Sequence, residues 1–291
     1  MIILKDSIAK QWKANSGGNM KKASIVIPTK DKISRLRLVL KALEGQVDDT
    51  VEVIIVFDGC NKETLKNFEG IRLSYTPIKV IHEQNVGRAK ARNSGILKAS
   101  GNVLIFLDDD RIPSPNFVYK HIKAHEKGRY AIVGERSDVN YPEEKLDEFY
   151  RNGLTDSDYS RIKKDSVSER FNYLKKTARI FLGQYIECVT FSTGNSSVQR
   201  QDLLNVGMFD ENFTGWGLED TDLGYRLYKS GVKIKRNYSI VNYHLVHPVN
   251  NIQQNNENRR NFYYFISKIE GDKAAIRMTK LLHRIIYKQR F

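Results

Sequence analysis

The sequence predicts an α/β fold: a mostly parallel sheet flanked by helices, followed by a helical C-terminal extension. Three observations carry that prediction. Short apolar runs bounded by turn residues recur through the first 108 residues, segments of helical spacing lie between them, and two of the runs close on aspartate. Residues 1–21 precede the first run and read as an N-terminal extension with Gly17 and Gly18 as its linker. Its apolar start is only four residues long before Lys5, too short for the core of a signal peptide. "ASIVIP" (23–28) predicts the first strand, ended by Pro28. In "SRLRLVLKALEGQ" Leu36, Leu40 and Leu43 recur at helical spacing, and Gly45 stops the pattern. "VEVIIVFDG" (51–59) and "KVIHE" (79–83) predict the second and third strands, "GRAKARNSGILKAS" (87–100) a helix closed by Gly101, and "NVLIFLD" (102–108) the fourth strand.

The remainder is less regular. Residues 135–180 are charged and irregular and read as a variable insertion over the crevice mouth, with amphipathic helical pieces. Thr193-Gly194-Asn195-Ser196 has the character of a strand-edge turn, and the Asn/Gln-rich "NNIQQNNEN" (250–258) that of a linker. The expected organisation is one domain over 22–250 and a basic, helix-compatible tail over 251–291.

Composition narrows the partners. A formal charge of +14 favours a polyanionic partner: nucleic acid, an anionic membrane leaflet or a phosphate-bearing substrate. Zinc-finger spacing, an RRM-type aromatic pattern and a basic recognition helix are all missing, which argues against nucleic acid. Cys60 and Cys188 make no disulfide framework and match no zinc spacing, so a reducing cytoplasm is expected. No run approaches the ~18–20 apolar residues of a membrane span. The basic tail is the segment suited to peripheral contact with an anionic membrane at its inner face.

In doubly wound sheets the ligand crevice lies beyond the carboxyl ends of the strands. Pro28, Thr29, Lys30 and Asp31, then Asp58, then Asp108, Asp109 and Asp110 should therefore share one rim. Three adjacent carboxylates resist ionising together unless a cation compensates them, whereas a turn or cap needs only one. A second acidic cluster lies in "FTGWGLEDTDLGYRLYKSG" (213–231), where Gly215 and Gly217 flank Trp216 ahead of Glu219, Asp220 and Asp222. Carboxylates in a first helical turn are ordinary dipole partners. Beside a flexible aromatic platform, however, one of them is suited to act as general base toward a hydroxyl. His244 and His247 follow a predicted strand, and imidazole with carboxylate suits a divalent transition ion, so either could complete coordination begun by Asp110.

Together these stretches resemble a GT-A (Rossmann-like) glycosyltransferase of family 2, an inverting, nucleotide-sugar-dependent group. "SIVIPTKDK" looks like the opening strand and loop, "VEVIIVFDGCNKET" like the uracil-side strand, "NVGRAKARNSGI" like the helix beside the diphosphate, and "FLDDDRIP" like the DxD motif. "GWGLEDTDLGYRL" is similar to the acidic motif of chondroitin-polymerase-like and β-1,4-galactosyltransferase-like enzymes.

The resemblance implies a UDP-sugar donor and a glycan, lipid-linked or peptide acceptor. It implies donor binding by Pro28, Thr29, Asp31, Asp58, Arg88, Arg92, Asp108, Asp109 and Trp216, with Thr29 and Asp58 at uracil and ribose, Arg88 or Arg92 near the base or diphosphate, and Asp108 at ribose. At the end of the fourth strand, Asp108 and Asp110 are expected to face the nucleotide and its metal, with the side chain of Asp109 between them pointing elsewhere. It implies a divalent metal, Mn²⁺ in preference to Mg²⁺, on Asp110 and His247 with His244 as helper. Asp220 would be the base, and Glu219 would hold sugar hydroxyls. Two positions depart from the pattern: Asp31 replaces the usual asparagine, and Phe57 replaces the first aspartate after the second strand. The rival classes are a nucleotidyltransferase, for which "IPTKDK" lacks the glycine-rich phosphate loop, and a non-catalytic nucleotide-sugar or polyanion-binding module.

Overall fold

The computed structural model describes residues 21–168, 184–248 and 250–287. The end of the predicted insertion, 169–180, lies outside them.

Strands β1 (Ala23–Thr29), β2 (Val51–Asp58), β3 (Ile78–His82) and β4 (Val103–Leu107) form the parallel half of one sheet. Helices α1 (Ile33–Ala42), α2 (Lys62–Glu69) and α3 (Arg88–Lys98) connect them. The strands β1, β2 and β4 are apolar on both sides because both faces are covered. Val26, Ile54, Val56, Leu104 and Phe106 pack with Ala91 and Ile96 of α3. Alternate residues Ile25, Ile27, Ile55, Phe57 and Ile105 pack with Leu36 and Leu40 of α1. Phe57, one of the two departures, is a core residue set edge-on against Phe68 with ring centroids 5.0 Å apart.

The second half of the sheet is mixed. It comprises β5 (Arg111–Pro113), β6 (Tyr130–Val139), β7 (Val167–Ser168), β8 (Asn195–Gln199) and β9 (Lys233–Leu245), in the order β3-β2-β1-β4-β8-β6-β9-β5 with β7 on β6. The expected turn at 193–196 is corrected here, because Asn195 opens an inner strand antiparallel to both β4 and β6. Its polar side chains are satisfied from neighbouring elements, which is what allows a polar strand to be central. Asn195 donates to the carbonyls of Glu135 and Ile240, and Ser197 Oγ lies 2.9 Å from His121 Nδ1, on helix α4 (Phe117–Ala124).

The expected irregular insertion is more ordered than its composition implied. Residues 135–139 belong to β6, followed by α5 (Glu143–Asn152) and α6 (Asp156–Asp165), the latter started by a Thr155/Asp158 capping box. Leu146, Phe149 and Ile162 bury themselves against Leu38, Ile112, Tyr243 and Leu245.

Short helices α7 (Gln184–Val189) and α8 (Arg200–Asn205) precede α9 (Glu219–Lys229). The predicted linker at 250–258 is instead the first half of α10 (Asn251–Lys268), started by Asn250, whose side chain accepts from Gln253 N. Its polar and apolar residues both enter the fold: Asn258 and Asn261 are buried, and Phe262 and Phe265 pack with Phe213 and Leu218. Helix α11 (Lys273–Tyr287) buries Ala275 and exposes Lys273, Arg277, Lys280 and Arg284. Among the described residues, no helix is long and apolar enough to cross a membrane.

Candidate active site and metal centre

The turn after β4 gathers its partners through the sheet. Pairing of β5 with β9 sets Arg111 opposite His244, and Leu245 N donates to the Asp110 carbonyl at 2.8 Å. The three carboxylates meet three different environments. Asp108 holds Arg92 Nη2 at 3.1 Å and Arg111 Nε at 3.2 Å. Burial would raise its pKa, but Arg111 and Arg92 outweigh burial and hold it below the usual range. Gly194 makes room for this pair, since a β-carbon there would lie 2.3 Å from both Arg111 Cζ and Asp108 Oδ2.

Asp109 is buried, accepts from Thr29 Oγ1 at 2.8 Å, and lies 3.5 Å from Lys32 Nζ. It therefore faces into the rim, contrary to the expected orientation, because the strand ends at Leu107 and the chain turns before Arg111. Burial, with Asp110 alongside, pushes its pKa up to about 6 against the pull of Lys32.

Asp110 Oδ2 receives Lys32 Nζ at 2.7 Å, with His247 Nε2 at 3.1 Å and His244 Nε2 at 4.0 Å. Despite burial, the His247 contact and Lys32 hold this carboxyl far below the ordinary range. One ligand atom from each of Asp110, His244 and His247 lies within 4.8 Å of the others. Each imidazole is oriented from behind: His247 Nδ1 is 3.0 Å from the Pro248 carbonyl and His244 Nδ1 is 2.8 Å from Asp138 Oδ1. With Nδ1 held by those acceptors, each ring presents its Nε2 toward Asp110, and a metal bound there would take the place of any proton on Nε2, as in histidines that ligate metals. One carboxylate and two imidazoles fit a divalent ion.

Across the crevice, Leu218 (φ 73°) reverses the chain so that α9 begins at Glu219. Arg92 is buried and joins the two acidic clusters, its Nη1 3.2 Å from Glu219 Oε1 while Nη2 holds Asp108. It is thus a strut between the clusters and does not stand open at a diphosphate position. Asp220 is half-buried, and burial together with Glu219 pushes its pKa up to about 7. A carboxylate tuned there is poised to take a proton near neutral pH.

The Trp216 loop is held from α10. Asn261 Nδ2 donates to the carbonyls of Thr214 (3.1 Å), Trp216 (3.3 Å) and Gly217 (2.9 Å), and Trp216 N donates to Glu257 Oε2 at 2.9 Å. Gly215 (φ 75°) and Gly217 (φ 98°) supply the left-handed turns, and a β-carbon on Gly217 would lie 2.5 Å from Asn258 Nδ2. Replacing Asn261 with alanine leaves these carbonyls without that donor. The expected cost is about 1–3 kcal/mol, read by calorimetry, with faster amide exchange over residues 214–217.

The remaining predicted residues are at the rim, with mixed availability. Asp58 accepts from Val86 N (2.6 Å) and Gly87 N (3.2 Å), which fixes the loop entering α3. Asp31 (φ 53°) accepts from Asn61 N and Thr64 Oγ1, tying the β1 loop to α2. Pro28 is half-buried in β1, and Arg88 is exposed in the first turn of α3. Sequence reasoning missed Lys32, Arg111 and Asp138. Only Arg111 carried a local signal, three residues after Asp108; the other two reach the site across the fold.

Three comparisons place this geometry among known proteins. The family described as glycosyl transferase family 2 matches residues 24–203, and the one described as the N-terminal domain of galactosyltransferase matches residues 179–248. An uncharacterized glycosyltransferase, YfnE, of Bacillus subtilis (strain 168) is 30% identical over 289 residues, covering 87% of this chain and 72% of the relative. Chondroitin synthase of Escherichia coli is 28% identical over 239 residues, covering 76% of this chain. Here the chain spans only 34% of the relative's length. The crystal structure of GalNAc-T7 with UDP, GalNAc and Mn²⁺ superposes with a TM-score of 0.59 at 19% identity, over 86% of this chain and 48% of that one. That likeness establishes the GT-A architecture. The chain therefore belongs to glycosyl transferase family 2 and is a glycosyltransferase.

Proposed function

We propose that the protein is a metal-dependent, inverting glycosyltransferase that moves a sugar from a UDP-sugar to a hydroxyl of a glycan, lipid-linked or peptide acceptor, in polysaccharide biosynthesis. The observation that carries this reading is the pairing of Asp110, His244 and His247 on one side of the crevice with Asp220 on the other, linked by Arg92 between Asp108 and Glu219. A divalent ion held by the first three, Mn²⁺ in preference to Mg²⁺, would neutralise charge on a leaving nucleoside diphosphate. Asp220 takes the proton of the attacking hydroxyl. Glu219, fixed by Arg92, orients sugar hydroxyls, and Trp216 offers a flat face to a sugar ring. Attack opposite the leaving group inverts the anomeric carbon in one displacement, without a covalent enzyme intermediate.

Thr29, Asp58, Asp108 and Asp109 line the nucleotide side, with Arg88 as the exposed cation and Pro28 and Asp31 shaping the loop. Binding of uracil by Asp58 would require it to exchange one of its present amide contacts. The cationic face of α11, with Lys273, Arg277, Lys280 and Arg284 exposed, supports peripheral attachment to an anionic membrane from the cytoplasmic side.

The test is UDP release from a panel of UDP- and GDP-sugars with Mn²⁺ or with chelator, and NMR of the product anomer. Asp110→Ala is expected to lose Mn²⁺ binding and transfer together. Full transfer by that variant, or transfer undiminished in chelator, would overturn the metal-dependent reading.

A further inference from the structure

Lys32 stands immediately before α1, and its carbonyl accepts from Arg35 N and Leu36 N, so its backbone is fixed by the first helical turn. Its side chain makes no cap. It reaches across to the aspartate turn, with Nζ 2.7 Å from Asp110 Oδ2, 3.1 Å from His247 Nε2 and 3.5 Å from Asp109 Oδ1. The Asp110 oxygen it touches is the one toward which both imidazole Nε2 atoms point. The ammonium thus uses two of the three ligand atoms that a divalent ion would need.

Charge matching gives the same result. Asp108 is matched by Arg92 and Arg111, while among the described residues Lys32 is the lysine or arginine paired with Asp109 and Asp110, beside the two imidazoles on Asp110. A divalent ion added beside a retained ammonium would place three positive charges against two carboxylates, with the cations at contact distance. The Lys32 side chain is 31% exposed, so it has a solvent side into which to withdraw.

We propose that Lys32 is a tethered competitor for the metal: its ammonium fills the Asp110/His247 ligand pair in the metal-free enzyme and must leave before a divalent ion binds. This rests on the metal-dependent reading above and adds to it a residue that sets metal affinity. The apparent affinity for free metal is reduced by the fraction of molecules in which Lys32 is withdrawn. In return, the acidic turn stays charge-compensated when no metal is bound.

The experiment titrates Mn²⁺ alone, without nucleotide, into the full chain and its Lys32→Met, Lys32→Gln and Asp110→Ala variants. Free Mn²⁺ is followed by electron paramagnetic resonance at low and high KCl, and each protein's Tm is measured with and without Mn²⁺. Both Lys32 variants are expected to bind Mn²⁺ about tenfold tighter than wild type, to keep that gain in high salt, and to show a larger Mn²⁺-induced rise in Tm. Unchanged or weaker binding in the folded Lys32 variants overturns the proposal. So does a gain that vanishes in high salt, since it would reflect only a screened distant charge. Wild-type binding by Asp110→Ala would instead overturn the metal site itself.

Discussion

Exchange of Asp220 for asparagine is expected to lower kcat about 10²–10⁴-fold while leaving UDP affinity near wild type. The amide keeps the shape of the side chain but cannot accept the acceptor's proton. In the wild type, transfer should rise with pH and level off above about 7, because burial and Glu219 hold the Asp220 carboxyl protonated below that point. The same shift has the opposite sign for stability. An aspartate with a raised folded pKa binds its proton more tightly in the folded state, so ionisation costs stability between its ordinary value, near 4, and about 7. Asp220→Asn should therefore raise Tm at pH 8 and give no gain near pH 4. A variant that kept wild-type kcat would remove Asp220 from the chemistry, and a gain in Tm independent of pH would remove the charge argument.

Arg92→Met is expected to give the largest loss of stability. Arg92 is buried and ion-paired with two carboxylates, of which Glu219 is also buried. Removing one partner of such a network leaves buried charge uncompensated, at a cost of about 3–5 kcal/mol. In a chain of this size that is a fall in Tm on the order of 10 °C. Lysine should not rescue it, since one ammonium cannot reproduce a planar fork that reaches both acids. Adding Glu219→Gln to Arg92→Met should recover part of the loss by removing a buried charge, and calorimetry of the three variants checks this. Equal Tm for Arg92→Met and wild type would mean the two acidic clusters are not held by this strut.

The sequence was most legible where local pattern and tertiary role agree. β1, β2 and β4 could be read because double-sided burial demands continuous apolar runs, the partly buried edge strand β3 by its short run of Val80 and Ile81, and α1 and α3 because one face of each lies on the sheet. β8 could not, because "NSSVQ" is a central strand whose polarity is answered by His121, the Glu135 carbonyl and the Ile240 carbonyl, all distant in sequence. The Asn-rich start of α10 resembled a linker because asparagine is a poor helix former, yet Asn258 is buried there and Asn261, three residues on, is a buried donor to three carbonyls. The acidic clusters stood out as repulsive and therefore needing explanation, and the imidazoles by their pairing. Lys32 gave no such signal: one lysine among many acquires its role only from a contact 78 residues away.

The clamp from α10 onto the Trp216 loop has a consequence for how this domain can be exchanged or evolve. The two family matches end at residues 203 and 248, ahead of Glu257 and Asn261, which hold the loop in front of Glu219 and Asp220. The recognisable catalytic module is thus shorter than the unit that shapes its own crevice. A chimera joined near residue 250 would inherit every motif residue and lose the brace for its Trp216 loop, whereas a junction beyond Lys268 carries motif and brace as one transferable piece.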